Sequence, residues 1–392
     1  MENPVRKKTR KGKCNVPKNN DSSTQNNENT FDSSTYLTYD ILRIVVQYLN
    51  AKDLASAARV CRSWLEAVNN EKRTRRGPCC FIQLYEPQRL FVDFLGNVQN
   101  PRVKPSVGFF FIPHNIPRNI EENIEALLPK HCETIVLYSK GIIMDEEMED
   151  PYPYIVCAFL PQIPNVRIKS IKLAEHYNLM KTPEYQEIMN TIVDRESVSN
   201  HETCFMLFSN MEGCTTAIRW SEVIEKSKGD EIVSVWGGVL KDLYVQRTHS
   251  DNLNKRQMRR RSLRRMNIPY CIAVLITGPI QTWSIILENR TKEQAEARLK
   301  LFKDEVKLKK HSIGFMFICV ARGNDMYNES NVESTIFKKL FPKVPLVGCF
   351  GYGEFGKSTV CEIKKEKRDE ASWRTGTWTN EFCTVFLILT YG

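Results

Sequence analysis

The sequence predicts an α+β fold with α/β character: a small N-terminal helical unit followed by a mixed α/β region of two related halves. Three observations lead there. Between residues 34 and 76 apolar side chains recur at helical spacing. From Cys79 onward the texture changes to short apolar runs separated by Pro, Gly and polar loops, the pattern of buried strands. Within that region "CFMLFSN", a helix and "IVSVWGG" are followed later by "GFMFICVARG", a helix and "PLVGCFGYG". Each is a strand, a turn, a helix and a strand ending in glycine. Related halves explain this, as does the general likeness of β-α-β units.

Residues 1–33 are polar, rich in Asn, Ser and Lys, and nearly free of large apolar side chains, so they are expected to be disordered. In the helical unit, residues 34–76, Thr38 can cap a first helix with Ile41, Ile44, Val45, Tyr48 and Leu49 on its apolar face. Asn50, with Asp53 three residues on, opens a second helix. Its face is Leu54, Ala57, Ala58, Cys61, Leu65 and Val68. So short a unit cannot bury both faces alone and needs a partner, in trans or from the rest of the chain.

A first α/β domain is expected over residues 79–250, with strands at "CFIQLY", "VGFFFI", "ETIVLY", "YIVCAFL", "RIKSIKLA", "CFMLFS" and "IVSVW". Asn119 and Glu122 form a capping pair for one of its helices, and Gly229 is placed to end another as a left-handed cap. Residues 251–267 read as a basic mobile loop. The second α/β domain, 268–392, holds strand "YCIAVLITG", a long helix opened by Thr291 and Gln294, strand "GFMFICV", helix "NVESTIFKKLF", strand "PLVGCF" and a last strand "FCTVFLILTYG".

Composition excludes several classes. No apolar run reaches the roughly 18 residues that span a bilayer, and the basic N-terminus lacks the apolar segment of a secretory signal, so no membrane partner is expected. Of the 13 cysteines many lie in apolar runs, among them Cys157, Cys271, Cys319 and Cys383, which is free-thiol usage. His201 and Cys204 have ligand spacing but no second pair answers them, so no metal is expected. The net charge of +10 resides in two tracts, Arg6 to Lys13 and Lys255 to Arg265. Without interleaved aromatics these do not make a nucleic-acid surface. Solvated loops and nuclear-import signals both fit them, and Ser262 among arginines fits a phosphorylation site.

"GCFGYGEFGKST", from Gly348 to Thr359, matches two phosphate-binding patterns. Gly351, Gly353 and Gly356 spell G-x-G-x-x-G; Gly351, Gly356, Lys357 and Ser358 spell G-x-x-x-x-G-K-S. A P-loop needs a helix next, but "STVCEIKKEKR" has no apolar helical face. For a dinucleotide site, Asp369 stands at the wrong spacing. No cofactor is therefore expected. The glycines are read instead as positions of positive φ or close backbone approach, shaping a surface at a strand end. On that reading Lys357→Ala is silent and Gly353→Val damaging. Glu354 is either a solvated turn residue or a ligand contact. Cys319 is either a buried inert thiol or one activated by Arg322.

Two resemblances to known families rest on these residues. "LVGCFGYGEFG" resembles the G-x-x-G-x-G-E-[IF]-G signature of the FIST C-terminal domain, "HSIGFMFICVARG" the strand and arginine turn before it, and "LLPKHCETIVLYSKGIIM" its N-terminal partner domain. Leu37, "DIL", the Asp53-Leu54 pair and "VCRSW" (Val60 to Trp64) resemble an F-box, although its usual Leu-Pro opening reads Leu37-Thr38 here. Lys357-Ser358 lies outside the FIST pattern.

An F-box implies docking on the adaptor and cullin scaffold of an SCF ubiquitin ligase, with Leu37, Ile41, Ile44, Leu49, Leu54, Val60, Cys61 and Trp64 as the adaptor-binding residues. The FIST region implies recruitment of protein substrates, nuclear regulatory proteins included, through Gly351, Gly353, Glu354, Gly356, Arg322 and Cys319. It implies a cytoplasmic and nuclear protein without catalysis of its own. The alternative is a small-ligand sensing module coupled to a partner complex. An enzyme is disfavoured, since neither G-x-S-x-G nor H-E-x-x-H occurs.

Overall fold

A computed structural model describes residues 37–85, 104–117, 120–192, 200–245, 270–360 and 378–392. The polar tail, the basic loop with Ser262, Asn119 and Asp369 lie outside the described residues.

The helical unit is three helices, α1 (Tyr39–Tyr48), α2 (Ala51–Ala57) and α3 (Arg62–Thr74). Thr38 caps α1 by accepting the Ile41 N–H, and the Asn50 side chain caps α2 by accepting the Asp53 N–H at 2.8 Å. The single second helix expected from Asn50 is broken between Ala58 and Cys61. There the N–H groups of Arg59 and Val60 turn back to Ser56 and Ala57, and Cys61 is fully extended before α3 begins.

The inward face also differs from expectation. Leu42, Val46, Leu54, Ala57, Ala67 and Val68 form the core, while Ile41, Ile44 and Tyr48 face solvent. Both stripes of α1 are apolar, so periodicity alone cannot choose between them. Arg75 locks the unit by donating from Nη2 to the carbonyls of Val46 (2.7 Å) and Gln47 (2.8 Å) at the end of α1.

The rest of the chain runs β1 (Cys79–Leu84), β2 (Pro105–Pro113), α4 (Ile120–Leu127), β3 (Glu133–Ser139), β4 (Ile142–Met144), β5 (Glu146–Met148), β6 (Tyr154–Pro161) and β7 (Arg167–Leu173). It continues through α5 (Pro183–Thr191), β8 (Glu202–Asn210), α6 (Cys214–Lys228), β9 (Ile232–Leu240), β10 (Asp242–Val245), β11 (Cys271–Gly278) and β12 (Gln281–Leu287). It closes with α7 (Lys292–Glu305), β13 (His311–Cys319), α8 (Asn324–Tyr327), α9 (Val332–Leu340), β14 (Leu346–Gly351), β15 (Glu354–Lys357), β16 (Thr379–Asn380) and β17 (Thr384–Tyr391).

These strands form three sheets, ordered β1-β6-β2-β3-β10, β7-β11-β8-β9-β15-β16 and β12-β17-β13-β14-β4-β5. Each is built on one parallel pair: β2 with β3, β8 with β9, β13 with β14. An antiparallel strand flanks the first member of each pair: β6, β11 or β17.

The second member is flanked by a short strand from another unit. After β3 the chain crosses to lay β4 on β14; after β9 it lays β10 on β3; after β14 it lays β15 on β9. The exchange closes on itself, so the region is a cycle of three related units rather than two halves. The division expected at residues 250–268 is not respected by the sheets, because β11 pairs with β7 and β8.

The inner faces of the three sheets meet in one core. Trp236 stands 5.5 Å from Phe208, 5.2 Å from Phe315 and 5.9 Å from Phe317, and its indole N–H donates to the Val385 carbonyl at 3.1 Å. The helices cover the outer faces: α4 on the first sheet, α5 and α6 on the second, α7 and α9 on the third. Strands covered on both sides read as unbroken apolar runs, which is why they were visible in the sequence.

Candidate functional site

Two places among the described residues hold the side chains expected to carry function. The first is the helical unit. Leu37, Ile41, Ile44 and Tyr48 recur every three or four residues along one face of α1 and its entry, and all are exposed, Tyr48 by 80%. Val60 and Cys61 are exposed at the break before α3, and Leu65 is exposed within it. Leu49 and Trp64 are part-buried against the small core. Leu54, 1% exposed, belongs to the core that holds the helices together.

The second place is the end of β13 and β14. Open parallel sheets bind ligands beyond the carboxyl ends of their strands. Of the two expected uses, positive φ or close approach, the glycines there serve close approach, since none of Gly348, Gly351, Gly353 and Gly356 has positive φ. A Cβ on Gly351 would lie 2.2 Å from the Phe317 ring and one on Gly356 2.8 Å from Val385. At Gly353 it would meet only Val239, at 3.5 Å, so Gly353 is not a steric requirement.

The phosphate-binding patterns do not form a phosphate site. The segment after Gly353 is strand β15, not a helix, and Lys357 donates to the carbonyls of Gly229 and Ile232, both at 2.8 Å. Lys357 thereby closes the C-terminal end of α6, where a cation is favourable. It is not the idle surface residue expected. Gly229 itself is right-handed (φ −60), so the expected left-handed cap is replaced by this lysine.

Arg322 is not a ligand contact. It is 1% exposed, and all three nitrogens of its guanidinium donate hydrogen bonds. Nε donates to Glu333 at 3.1 Å, Nη1 to the Phe382 carbonyl at 3.0 Å, and Nη2 to the Asn289 carbonyl (2.8 Å), Tyr327 (3.0 Å) and Glu333. Tyr327 and Thr384 complete the shell of Glu333 at 2.7 and 2.5 Å. Arg322 is therefore a positioning residue. It holds the carbonyl of Phe382, whose φ of 56° lies in the left-handed region, and so fixes the loop entering β17.

That loop presents the Cys383 N–H to Glu354, whose Oε2 accepts it at 3.2 Å and the Cys383 thiol at 3.5 Å. Glu354 is 1% exposed, and its Oε1 has no partner among the described residues. Burial pushes its carboxyl up to about 7, against the lowering effect of the Cys383 N–H. Cys319 is 6% exposed and its thiol is pushed up to about 11, by burial first and then by Glu354. The activated-thiol reading is thus overturned: Arg322 is committed to Glu333, and the charge nearest Cys319 is negative.

Glu354 and Cys319 line a cavity of about 180 Å³ together with Cys214, Ile218 and Val239, the Tyr352–Phe355 turn and Thr379–Phe382. Sequence reasoning named Glu354, Cys319 and Gly353 but missed Thr379, Phe382 and Glu333, which no motif marks. Among the described residues no group of His, Cys, Asp and Glu is arranged to hold a metal, and no helix is long and apolar enough to cross a membrane.

Comparison with known proteins bears on the first site. Residues 36–76 match the F-box domain family. F-box only protein 22 of Homo sapiens and that of Pongo abelii are each 24% identical over 355 residues, covering 81% of this chain and 84% of theirs. An F-box/LRR-repeat protein of Arabidopsis thaliana is 32% identical over 78 residues, 20% of this chain and 14% of that one. A crystal structure of cyanuric acid hydrolase from A. caulinodans aligns with 79% of this chain and 98% of its own, at 7% identity and a TM-score of 0.34, too distant to carry an argument. The chain carries an F-box domain at residues 36–76 and, over 81% of its length, resembles F-box only protein 22.

Proposed function

We propose that this chain is a substrate-recognition subunit of an SCF ubiquitin ligase. Its helical unit docks on the adaptor, and through it on the cullin scaffold. The α/β region, read as FIST-like, recruits proteins for ubiquitination and degradation, and the chain catalyses nothing itself. It works in the cytoplasm and the nucleus. The observation that carries this reading is the exposed stripe Leu37, Ile41, Ile44 and Tyr48 on a unit whose own core is complete without it. Apolar side chains kept in water at helical spacing are the complement of a partner's groove.

Co-precipitation of the adaptor with the full chain tests it. Leu37→Ala with Ile41→Ala removes several methylenes at about 0.8 kcal/mol each, so recovery falls by more than tenfold. Undiminished recovery from the folded double variant rejects the reading. A second reading, a ligand-responsive module, is favoured by one observation: the enclosed carboxyl of Glu354 at the wall of a cavity.

A further inference from the structure

The cavity beside Glu354 has a composition that selects its occupant. Two side-chain oxygens in its wall, Glu354 Oε1 and Thr379 Oγ1, are enclosed and have no hydrogen-bond partner among the described residues. Buried polar atoms are satisfied in nearly all native structures, so each such oxygen marks a place where a hydrogen-bond partner belongs, a donor in the case of an ionised Glu354. Among the described residues the wall carries two carboxyl groups, Glu354 and Glu381, and no Lys, Arg or His. The nearby cation Arg322 is committed to Glu333, Tyr327 and two carbonyls. A buried carboxyl oxygen without a partner, Glu354 Oε1, favours a positive occupant at this wall.

The remaining wall agrees. Tyr352 and Phe382 are 40% and 65% exposed at the cavity, and aromatic rings attract an ammonium ion. Ile218 and Val239 add an apolar side for a hydrocarbon chain. At about 180 Å³ the space slightly exceeds the ~150 Å³ known to accept benzene. The loop that closes it is stiff, because Arg322 pins Phe382 and Cys383 pins Glu354.

We propose that this cavity binds a small primary amine as its ammonium ion, with N–H groups donating to Glu354 and Thr379 and the alkyl part against Ile218 and Val239. A ligand carrying a carboxylate would be repelled by the buried Glu354 carboxylate. The inference rests on the ligand-binding reading of this region and not on adaptor docking.

Saturation-transfer NMR on the full chain, at about pH 8 where the amine is protonated, tests it with n-pentylamine, 1-pentanol and pentanoate. Pentylamine binds with a roughly millimolar Kd, as suits so few atoms, and the other two bind at least tenfold more weakly. Glu354→Gln retains an acceptor for the Cys383 N–H and weakens pentylamine at least tenfold. Ile218→Phe, which fills the cavity and leaves the carboxyl in place, also abolishes binding. Adaptor co-precipitation on the same samples separates the two proposals: loss of docking with amine binding intact removes the ligase reading alone. Absence of saturable amine binding, equal binding of pentanol or pentanoate, or full affinity in folded Glu354→Gln overturns the amine site.

Discussion

The helical unit and the α/β region treat apolar side chains in opposite ways. The helical unit spans some 40 residues yet leaves Leu37, Ile41, Ile44, Tyr48, Val60 and Leu65 exposed, and its core of six residues is small. The three sheets bury their central strands almost throughout, and the side chains they enclose include Arg322, Glu333 and Glu354. A short chain cannot cover its own surface, so its residual apolar face becomes an interface. A large interior has room to enclose charge, and the enclosed charge becomes a structural clamp or a site. The same rule of burial produces an exposed apolar face in one region and an enclosed carboxyl in the other.

Breaking the clamp has the largest expected effect. Arg322→Ala leaves the buried Glu333 carboxyl without its cationic partner, which costs about 3–5 kcal/mol, with unfolding in urea as the measurement. Arg322→Lys recovers only part of this, because one ammonium cannot reach Glu333, Tyr327 and two carbonyls together. A loss under 1 kcal/mol for Arg322→Ala would mean that the sheets do not depend on this charge.

Neighbouring positions on α1 sharpen the contrast. Leu42→Ala opens the small core and costs about 2–5 kcal/mol. Ile44→Ala, two residues on and exposed, changes stability by less than about 0.5 kcal/mol while lowering adaptor recovery. Thermal melts and co-precipitation of the two variants should therefore move in opposite order. Equal melting losses would place Ile44 in the core.

Acid titration separates the regions in another way. Burial raises Glu354 and Glu147 from 4.5 to about 7, so the folded chain holds both protons more tightly than the unfolded chain does. Their contribution to stability is full below about pH 4.5 and is lost as pH rises through about 7. The ceiling is about 3 kcal/mol for each group. Urea unfolding at pH 5.5 and 8 reads this difference, and Glu354→Gln with Glu147→Gln should flatten it. An unchanged pH slope in the double variant would assign the dependence to other groups. The smallest effects lie in the glycine turn: Lys357→Ala costs about 1 kcal/mol through the end of α6, and Gly353→Ala about 0.5 kcal/mol or less.

Much of this was legible in the chain. The caps at Thr38, Asn50 and Thr291 are local hydrogen bonds between residues three apart, so the sequence states them directly. Most strands were legible because burial on both faces leaves continuous apolar runs. The short strands β4, β5, β10, β15 and β16 were not, since two to four residues carry no period and acquire strand geometry from a neighbouring sheet. The role of Lys357 was misread for a related reason: its partners, the carbonyls of Gly229 and Ile232, lie more than a hundred positions away.

Composition and pattern alone established a helical unit with surplus apolar surface, an α/β region, and a glycine turn with no helix behind it. These follow from local physics: propensity, capping and periodicity over a few residues. Which stripe of α1 faces water, how three units exchange strands in a cycle, and why Arg322 holds a loop instead of a ligand were settled by folding. Each depends on groups far apart in sequence. Burial and charge pairing are properties of the space between such groups, and that space exists only once the three sheets have closed around it.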